Sequence, residues 1–328
     1  MKILITGGAG FIASHFVKYM AKKYPEYTII NYDKLTYAGD LARLKDVENE
    51  PNYRFVQGDV CDFNFLNYLL KGVTYVFHFA AETHVDNSLG DSLRFTDSNV
   101  VGTHVLLEAA RANNVKKFFH MSTDEVYGDI LEGYFKEDSI LNPTNPYSGT
   151  KAAADMIILG YKKTYNLPII IIRCNNVYGP YQYTEKIIPR FASNIIKGKK
   201  VPLHGDGSNI RTYIHIDDFC RAMNVIFQKG EIGEIYNIGS RDEITNLQLT
   251  KKILAQFGKD ESFIEFVRDR PFNDKRYGVD ITKLKSLGWE QKIPFEEGLA
   301  STVKWYEENE DWWKNLKPTP TDKYIKPS

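Results

Sequence analysis

Thr123, Asp124 and Glu125 stand in a row after the apolar run Lys117–Met121, and a Tyr147-x-x-x-Lys151 pair follows. Two adjacent carboxyl groups can divide into an acid and a base when their surroundings push their pKa values apart. A tyrosine and a lysine at i and i+4 share one helix face, so they can handle a proton as one unit. A hydride-transfer enzyme needs only the Tyr/Lys unit. The extra acid–base pair points to an elimination as well.

Such a group needs a frame, and the spacing of apolar runs supplies one. Short strands are expected at Lys2–Thr6, Thr28–Asp33, Tyr53–Gly58, Val73–Phe79, Lys117–Ser122 and Ile169–Asn175. Helical patterns fall between them at Phe11–Lys23, Phe63–Leu70, Asp91–Asn113 and Asn145–Asn166. Strands that are apolar throughout and alternate with helices imply a parallel sheet covered on both faces, a doubly wound α/β fold of Rossmann type. Ligands bind such sheets outside the carboxyl ends of the strands, which is where Thr123, Asp124 and Glu125 lie. Residues 1–175 read as a dinucleotide-binding domain that carries the catalytic residues. Residues 176–328 read as a smaller substrate lobe, punctuated by prolines, with some segments returning to the first domain. Leu247–Phe257 and Phe295–Asn309 look like amphipathic helices of that lobe. The last dozen residues, with Pro318, Pro320 and Pro327, are expected to fray.

The 328-residue chain balances 42 Lys and Arg against 42 Asp and Glu, so no global field favours nucleic acid or an anionic membrane. Cys61, Cys174 and Cys220 lie far apart with no disulfide or metal spacing, which fits a reducing compartment. Met1–Val17 superficially resembles a secretion signal, but glycines 7, 8 and 10 argue for strand, turn and helix. No apolar run approaches the roughly 20 residues of a membrane span. The protein is read as cytoplasmic. His78 lies inside an apolar strand and reads as a packed core histidine, with no metal site. Trp305, Tyr306, Trp312 and Trp313 read as lobe packing.

Gly7-Gly8-Ala9-Gly10-Phe11-Ile12-Ala13 joins the first strand to the first helix. Glycines there allow a tight turn and close approach of a pyrophosphate to the helix N-terminus. Asp33, at the end of the second strand, can accept from ribose hydroxyls and would repel a 2′-phosphate, which favours NAD over NADP. Lys34 beside it weakens that discrimination. Asp59 is either an adenine contact or the N-cap of the next helix.

Taken together, the glycine loop, Ser122-Thr123-Asp124-Glu125 and Tyr147-x-x-x-Lys151 resemble the extended short-chain dehydrogenase/reductase superfamily. Asp33-Lys34-Leu35-Thr36-Tyr37-Ala38-Gly39, Asn145-Pro146-Tyr147, Asn176-Val177-Tyr178-Gly179-Pro180, Glu185-Lys186-Ile187-Ile188-Pro189 and His204-Gly205-Asp206-Gly207 bring the likeness closest to the nucleoside-diphosphate-glucose 4,6-dehydratases. Thr83-His84-Val85-Asp86-Asn87-Ser88 and Arg270-Pro271-Phe272-Asn273-Asp274 look more like the UDP-glucose enzymes, the dehydratase part of plant-type rhamnose synthases. Bacterial dTDP-glucose enzymes usually carry an arginine near Asn87. Gly149, where alanine or serine is common, weakens the helix mildly.

The resemblance implies an NAD-dependent hydro-lyase that converts UDP-glucose, or alternatively dTDP-glucose, to the 4-keto-6-deoxy sugar. Tyr147, assisted by Lys151, would take the O4 proton as hydride leaves C4 for NAD, and Thr123 would hold O4. Glu125 would take the C5 proton and a protonated Asp124 would release the C6 hydroxyl as water, after which hydride returns to C6. Gly7, Gly10, Phe11, Ile12, Asp33, Lys34, Thr36, Asp59, Val60, Ala81 and Thr83 would bind the cofactor, with Tyr147 and Lys151. His84, Thr123, Asn176, Lys186, Arg211, Asn237 and Arg270 would bind the nucleotide sugar, the two arginines at the diphosphate. Asp91–Asn113 and Asn145–Asn166 would form a four-helix homodimer interface, and a separate epimerase/reductase would act downstream. A nucleotide-sugar 4-epimerase lacks the adjacent acid pair, and a UDP-glucuronate decarboxylase usually has Ser-Glu there, so Asp124 discriminates. An inactive NAD-sensing protein would be expected to lose Tyr147 or Lys151.

Overall fold

In the computed structural model, residues 1–269 and 273–317 are described. Arg270 and the proline-bearing end from Pro318 onward lie outside them.

The described residues hold twelve strands: β1 Lys2–Thr6, β2 Thr28–Asp33, β3 Tyr53–Gln57, β4 Tyr75–His78, β5 Lys117–Thr123, β6 Ile169–Cys174, β7 Asn176–Tyr178, β8 Val201–His204, β9 Ile210–His215, β10 Ile235–Ile238, β11 Glu243–Thr245 and β12 Ile264–Val267. Seven of them form one sheet in the order β10-β6-β5-β4-β1-β2-β3. Every neighbouring pair in it is parallel. Alternate residues feed opposite faces. Ile3, Ile5 and Phe77 join one apolar cluster, whereas Leu4, Val76 and Phe118 join the other. That explains why each strand is apolar without a break.

β10 belongs to this sheet although it lies beyond residue 176. The remaining strands form two small sheets, β11-β9-β7 and β12-β8, whose core includes Phe191, Leu203, Leu249, Ile253 and Leu299. Order reverses at β1, which has β4 on one side and β2 on the other. A crevice therefore opens beyond the carboxyl ends of β1 and β4.

The helix Pro146–Tyr165 begins with a capping box, since the Asn145 side chain accepts from Ser148 N and the Ser148 hydroxyl accepts from Asn145 N in return. Pro146 occupies the first turn, where its missing N–H costs nothing. Its inward face carries Lys151, Ala154, Asp155 and Ile158 at helical spacing.

Asp91–Asn113 is not one regular helix. It runs as Ser92–Phe95, a wider π turn at Thr96–Val101, then Gly102–Ala112. The wide turn directs Asn99 inward, where it accepts from Glu82 N at 2.8 Å and donates to Glu82 O and Thr150 Oγ1, both at 3.0 Å. The site loop after β4 is thus tied to the helix that carries Tyr147. Among the described residues, no helix is long and apolar enough to cross a membrane.

Candidate active site

A cavity of about 290 Å³ fills the crevice. Gly7, Gly10, Phe11, Ile12, Asp33, Lys34, Thr36, Asp59, Val60, Ala81 and Thr83 line it, together with Thr123, Asp124, Glu125, Tyr147 and Lys151. A second cavity of about 160 Å³ is lined by His84, Arg211 and Tyr277, and shares Glu125, Asn176, Glu185 and Lys186 with the first. The two meet at the carboxylates.

The glycine loop fits a dinucleotide. Gly7 has φ +72°, and a Cβ there would lie 2.7 Å from Ala80 N, so the loop packs directly on the chain leaving β4. Gly10 precedes the helix Phe11–Lys23, whose positive end faces the loop. Asp33 is held by Ala9 N at 2.9 Å and Leu35 N at 2.7 Å, one on each oxygen. Each carboxylate oxygen keeps a further acceptor position. Lys34 pairs with Asp59 at 2.5 Å, which takes up the charge that could have welcomed a 2′-phosphate. The helix Phe63–Leu69 is capped by Asp62, so Asp59 is left to the cavity wall.

The reacting end is built by a short 3₁₀ turn, Asp124–Tyr127, capped by the Thr123 hydroxyl, which accepts from Glu125 N at 3.3 Å. The turn sends Asp124 and Glu125 to different partners. Asp124 is buried, accepts from Asn175 Nδ2 at 2.5 Å and from Thr123 Oγ1 at 3.1 Å. Burial and the Glu125 charge push its carboxyl up to about 7. Glu125 faces the second cavity, 3.5 Å from Asn145 Nδ2. Burial also raises Glu125, while the Lys186 and Arg211 charges oppose that. Both carboxyls are raised, but at Asp124 the neighbouring Glu125 charge adds to burial whereas at Glu125 two cations oppose it, a contrast that favours the division an acid and a base require.

Burial raises the Tyr147 phenol, as does Glu125, and a hydrogen bond with the Thr123 hydroxyl opposes the rise. Burial pulls the Lys151 ammonium down to about 8, and it donates to Met121 O at 2.6 Å. Arg211 stacks over Tyr277 at 4.5 Å and donates to Asn273 Oδ1 at 3.1 Å, leaving a cation at the wall of the second cavity.

Asn237 is not brought to either cavity. It is fully buried on β10, where its side chain accepts from Tyr127 OH at 2.9 Å and donates to Phe135 O and Asp280 O. Its side chain is consumed in joining β10 to its neighbours, because β10 is the edge strand of the main sheet beside β6 and not part of the substrate lobe. Arg270 falls outside the described residues. His78 is fully buried between Thr6 Oγ1 at 2.8 Å and Thr103 Oγ1 at 2.9 Å. No metal-binding group of His, Cys, Asp and Glu occurs among the described residues. Trp313 and Tyr306 are buried, and Trp312 donates to Asp40 at 2.7 Å.

Three lining residues were given no role by the sequence. Asn175 follows directly on β6, and its place at a strand's carboxyl end was the available signal. Glu185 is buried, pushed up to about 7 by burial, and bonded by Tyr37 OH at 3.0 Å and Asn87 Nδ2 at 3.3 Å. Tyr277 arrives from a distant segment and donates to Asp274, which also accepts from Thr144 Oγ1 at 2.9 Å.

Removing the Asn175 amide should let Asp124 hold its proton to higher pH, since that donor favours the carboxylate. Asn175→Ala is expected to move the alkaline limb of kcat upward by about one pH unit, the equivalent of one hydrogen bond to a charged group. A pH–rate profile measures it, and an unmoved limb would detach Asp124 from that ionisation.

The GDP-mannose 4,6 dehydratase family model matches residues 4–302. Over 321 residues, 96% of this chain, the sequence is 48% identical to a trifunctional UDP-glucose 4,6-dehydratase/3,5-epimerase/reductase of Arabidopsis thaliana, of which it covers 48%. The chain thus spans about half the length of that relative. It is 45% identical to dTDP-D-glucose 4,6-dehydratase of Mus musculus, covering 97% of this chain and 93% of the other. Among solved structures, a dTDP-glucose 4,6-dehydratase of Streptomyces venezuelae with NAD bound matches with a TM-score of 0.94 and 46% identity, over 97% of this chain and 100% of that one.

Proposed function

This chain belongs to the nucleoside-diphosphate-sugar 4,6-dehydratase family, and we propose that it converts UDP-glucose to UDP-4-keto-6-deoxy-glucose and water with NAD as a recycled cofactor. The observation that carries the reading is the Asp124–Glu125 pair. It sits in the same cavity as Tyr147 and Lys151, with Asp124 pushed up to about 7 and the rise of Glu125 opposed by the Lys186 and Arg211 charges. A 4-epimerase has no use for such a pair.

The glycine loop, Asp33 and the residues between Thr36 and Thr83 that line the first cavity suit NAD. When bound, NAD supplies the oxidation at sugar C4 and the later reduction at C6. Tyr147 removes the O4 proton, and the Lys151 ammonium favours its phenolate. Thr123 fixes O4 within reach of the phenol. The 4-ketone acidifies C5, so Glu125 can take that proton, and Asp124 gives its own to the departing C6 hydroxyl. Glu125 then returns a proton to C5. Lys186, Asn176, His84 and Arg211 line the cavity that would hold the nucleotide side, with Arg211 suited to the diphosphate.

UDP is favoured over dTDP by the segment Thr83–Ser88. Asn87, near which dTDP-glucose enzymes usually carry an arginine, donates to Tyr37 OH at 2.9 Å and to Glu185. Exposed Leu93, Val101 and Met156, on the two helical stretches assigned to a homodimer, support that assembly.

Incubation with UDP-glucose deuterated at C4, with dTDP-glucose in parallel, tests the proposal. The expected product is lighter by one water and carries the deuterium at C6. Deuterium returned to C4 without water loss would overturn it, and the faster substrate identifies the base.

A further inference from the structure

Asp33 is the residue on which the choice between NAD and NADP turns, and backbone groups hold it in place. Ala9 N and Leu35 N each grip one carboxylate oxygen, at 2.9 and 2.7 Å. On the Leu35 side the chain closes in again at Gly39, where a Cβ would lie 3.0 Å from Asp33 Oδ1. Two segments therefore clasp the carboxylate, the glycine loop at Ala9 and residues 35–39. Neither is a regular element. Leu35 is held at φ +59°, left-handed backbone that a leucine keeps only where its surroundings impose it.

One side chain reaches both segments. Arg43 lies in the short 3₁₀ turn Leu41–Leu44, which Asp40 caps by accepting from Ala42 N at 2.9 Å. Its Nη1 donates to Ala9 O at 2.8 Å and to Ala38 O at 2.7 Å, and its Nε donates to Tyr181 O at 3.1 Å. Tyr181 is left-handed too, at φ +65°. Trp312 covers the guanidinium at 5.2 Å and donates to Asp40 Oδ2 at 2.7 Å. Arg43 borders the first cavity but is only 1% exposed, so it acts on the ligand space through the loops it holds. A charge taken out of water is costly unless good partners meet its donors. Here those partners are carbonyls of the irregular segments around the cofactor crevice.

We propose that Arg43 positions Asp33 for NAD, by fastening through the Ala9 and Ala38 carbonyls the two segments that clasp its carboxylate. The path is short on both sides. Arg43 Nη1 holds Ala9, whose N–H holds Asp33 Oδ2, and it holds Ala38, which leads directly to Gly39 against Oδ1. The inference rests on the NAD site described above and not on the identity of the sugar. Without the guanidinium both segments can relax, and Asp33 leaves the position in which it accepts from ribose hydroxyls and repels a 2′-phosphate. Loss of Arg43 should thus act differently on the two cofactors, weakening NAD while lifting part of the repulsion of NADP.

Calorimetric titration of the unliganded protein with NAD and NADP, the weaker ligand followed by displacement, tests this. Arg43→Met fills a similar space and donates nothing. Its NAD affinity should fall about thirtyfold, the equivalent of one hydrogen bond to a charged group. NADP affinity should stay level or rise, so the preference for NAD narrows by about the same factor. Arg43→Lys, which keeps the charge and a donor, should restore part of that preference. Equal weakening of both cofactors, or a lower Tm with both affinities unchanged, would make Arg43 a packing residue and overturn the proposal. Should Arg43→Met fail to fold, Arg43→Lys is read against the wild type by the same criterion. Because no sugar enters the titration, failure of the dehydratase reading shows separately, as no product from the wild type with UDP-glucose or dTDP-glucose.

Discussion

Asp124→Asn is expected to lower the rate of water loss about a thousandfold, within the usual span for removal of a general acid, while leaving the earlier proton steps running. Glu125 and Tyr147 do not need the Asp124 proton to open the C4 oxidation or to act at C5. In deuterium oxide, the variant should therefore return UDP-glucose labelled at C5 faster than it forms product. Glu125→Gln should lose both the exchange and the product. The wild-type rate should fall as pH rises through about 7, where Asp124 gives up its proton, and the residual rate of the asparagine variant should not follow that limb. The wild type's stability should fall through the same window. Burial, with the Glu125 charge beside it, raises this carboxyl from 3.8 to about 7 in the fold, so the stabilising contribution of its protonated form is complete below about 4 and disappears as pH rises through about 7. Holding it ionised costs the fold on the order of 4 kcal/mol at most. Asparagine cannot ionise, so its Tm should gain on the wild type between pH 5 and pH 8, as measured by thermal unfolding at both. A variant that lost stability equally at both pH values would show that Asp124 is structural.

Much of this site is legible in the sequence because its chemistry is local. Thr123, Asp124 and Glu125 are consecutive, Tyr147 and Lys151 are one helical turn apart, and the glycine loop is continuous with β1. Each motif carries its own geometry, so a strand end or a helix face suffices to place it. What pattern could not reach are contacts made by topology. Asn175 meets Asp124 only because β6 pairs with β5 in a register that sets Cys174 against Thr123. Tyr277 reaches Arg211 from 66 residues away in sequence, through an isolated bridge between Ile210 and Arg276. Asn237 shows the opposite failure. Its motif suggested a ligand, but β10 inserts beside β6 and the amide is spent between Tyr127, Phe135 and Asp280. The π turn at Thr96–Val101 was hidden for a related reason, since its benefit lies in the Asn99 contacts to Glu82 and Thr150 and not in the periodicity of its own residues.

The glycine loop packs its backbone directly on the chain leaving β4, so Gly7→Ala should be strongly damaging. Two costs combine. At φ +72°, an alanine pays about 1–2 kcal/mol for left-handed backbone. Its Cβ would also sit 2.7 Å from Ala80 N and 2.8 Å from Ala80 Cα, and both are backbone atoms that cannot rotate aside. Overpacking of that kind adds about 1–3 kcal/mol. The strain cannot be relieved outward. Gly7 N is bonded to Tyr32 O at 2.8 Å and Gly7 O to Gly10 N at 2.9 Å, so any shift drags the end of β2 and the start of the first helix. Those are the elements that set Asp33 and the helix N-terminus against a dinucleotide. NAD binding, followed by calorimetry, should therefore weaken about a hundredfold, with a fall in Tm of several degrees for the unliganded protein. Gly149→Ala is the matched control. A Cβ there meets nothing within 4 Å, and it lies inside the helix Pro146–Tyr165. It should raise stability by about 0.5–1 kcal/mol and leave NAD affinity unchanged, although it is only two residues from Tyr147 and Lys151. Equal losses from both methyls would mean that helix propensity and general packing, and not the close approach of Gly7 to Ala80, govern the cofactor end.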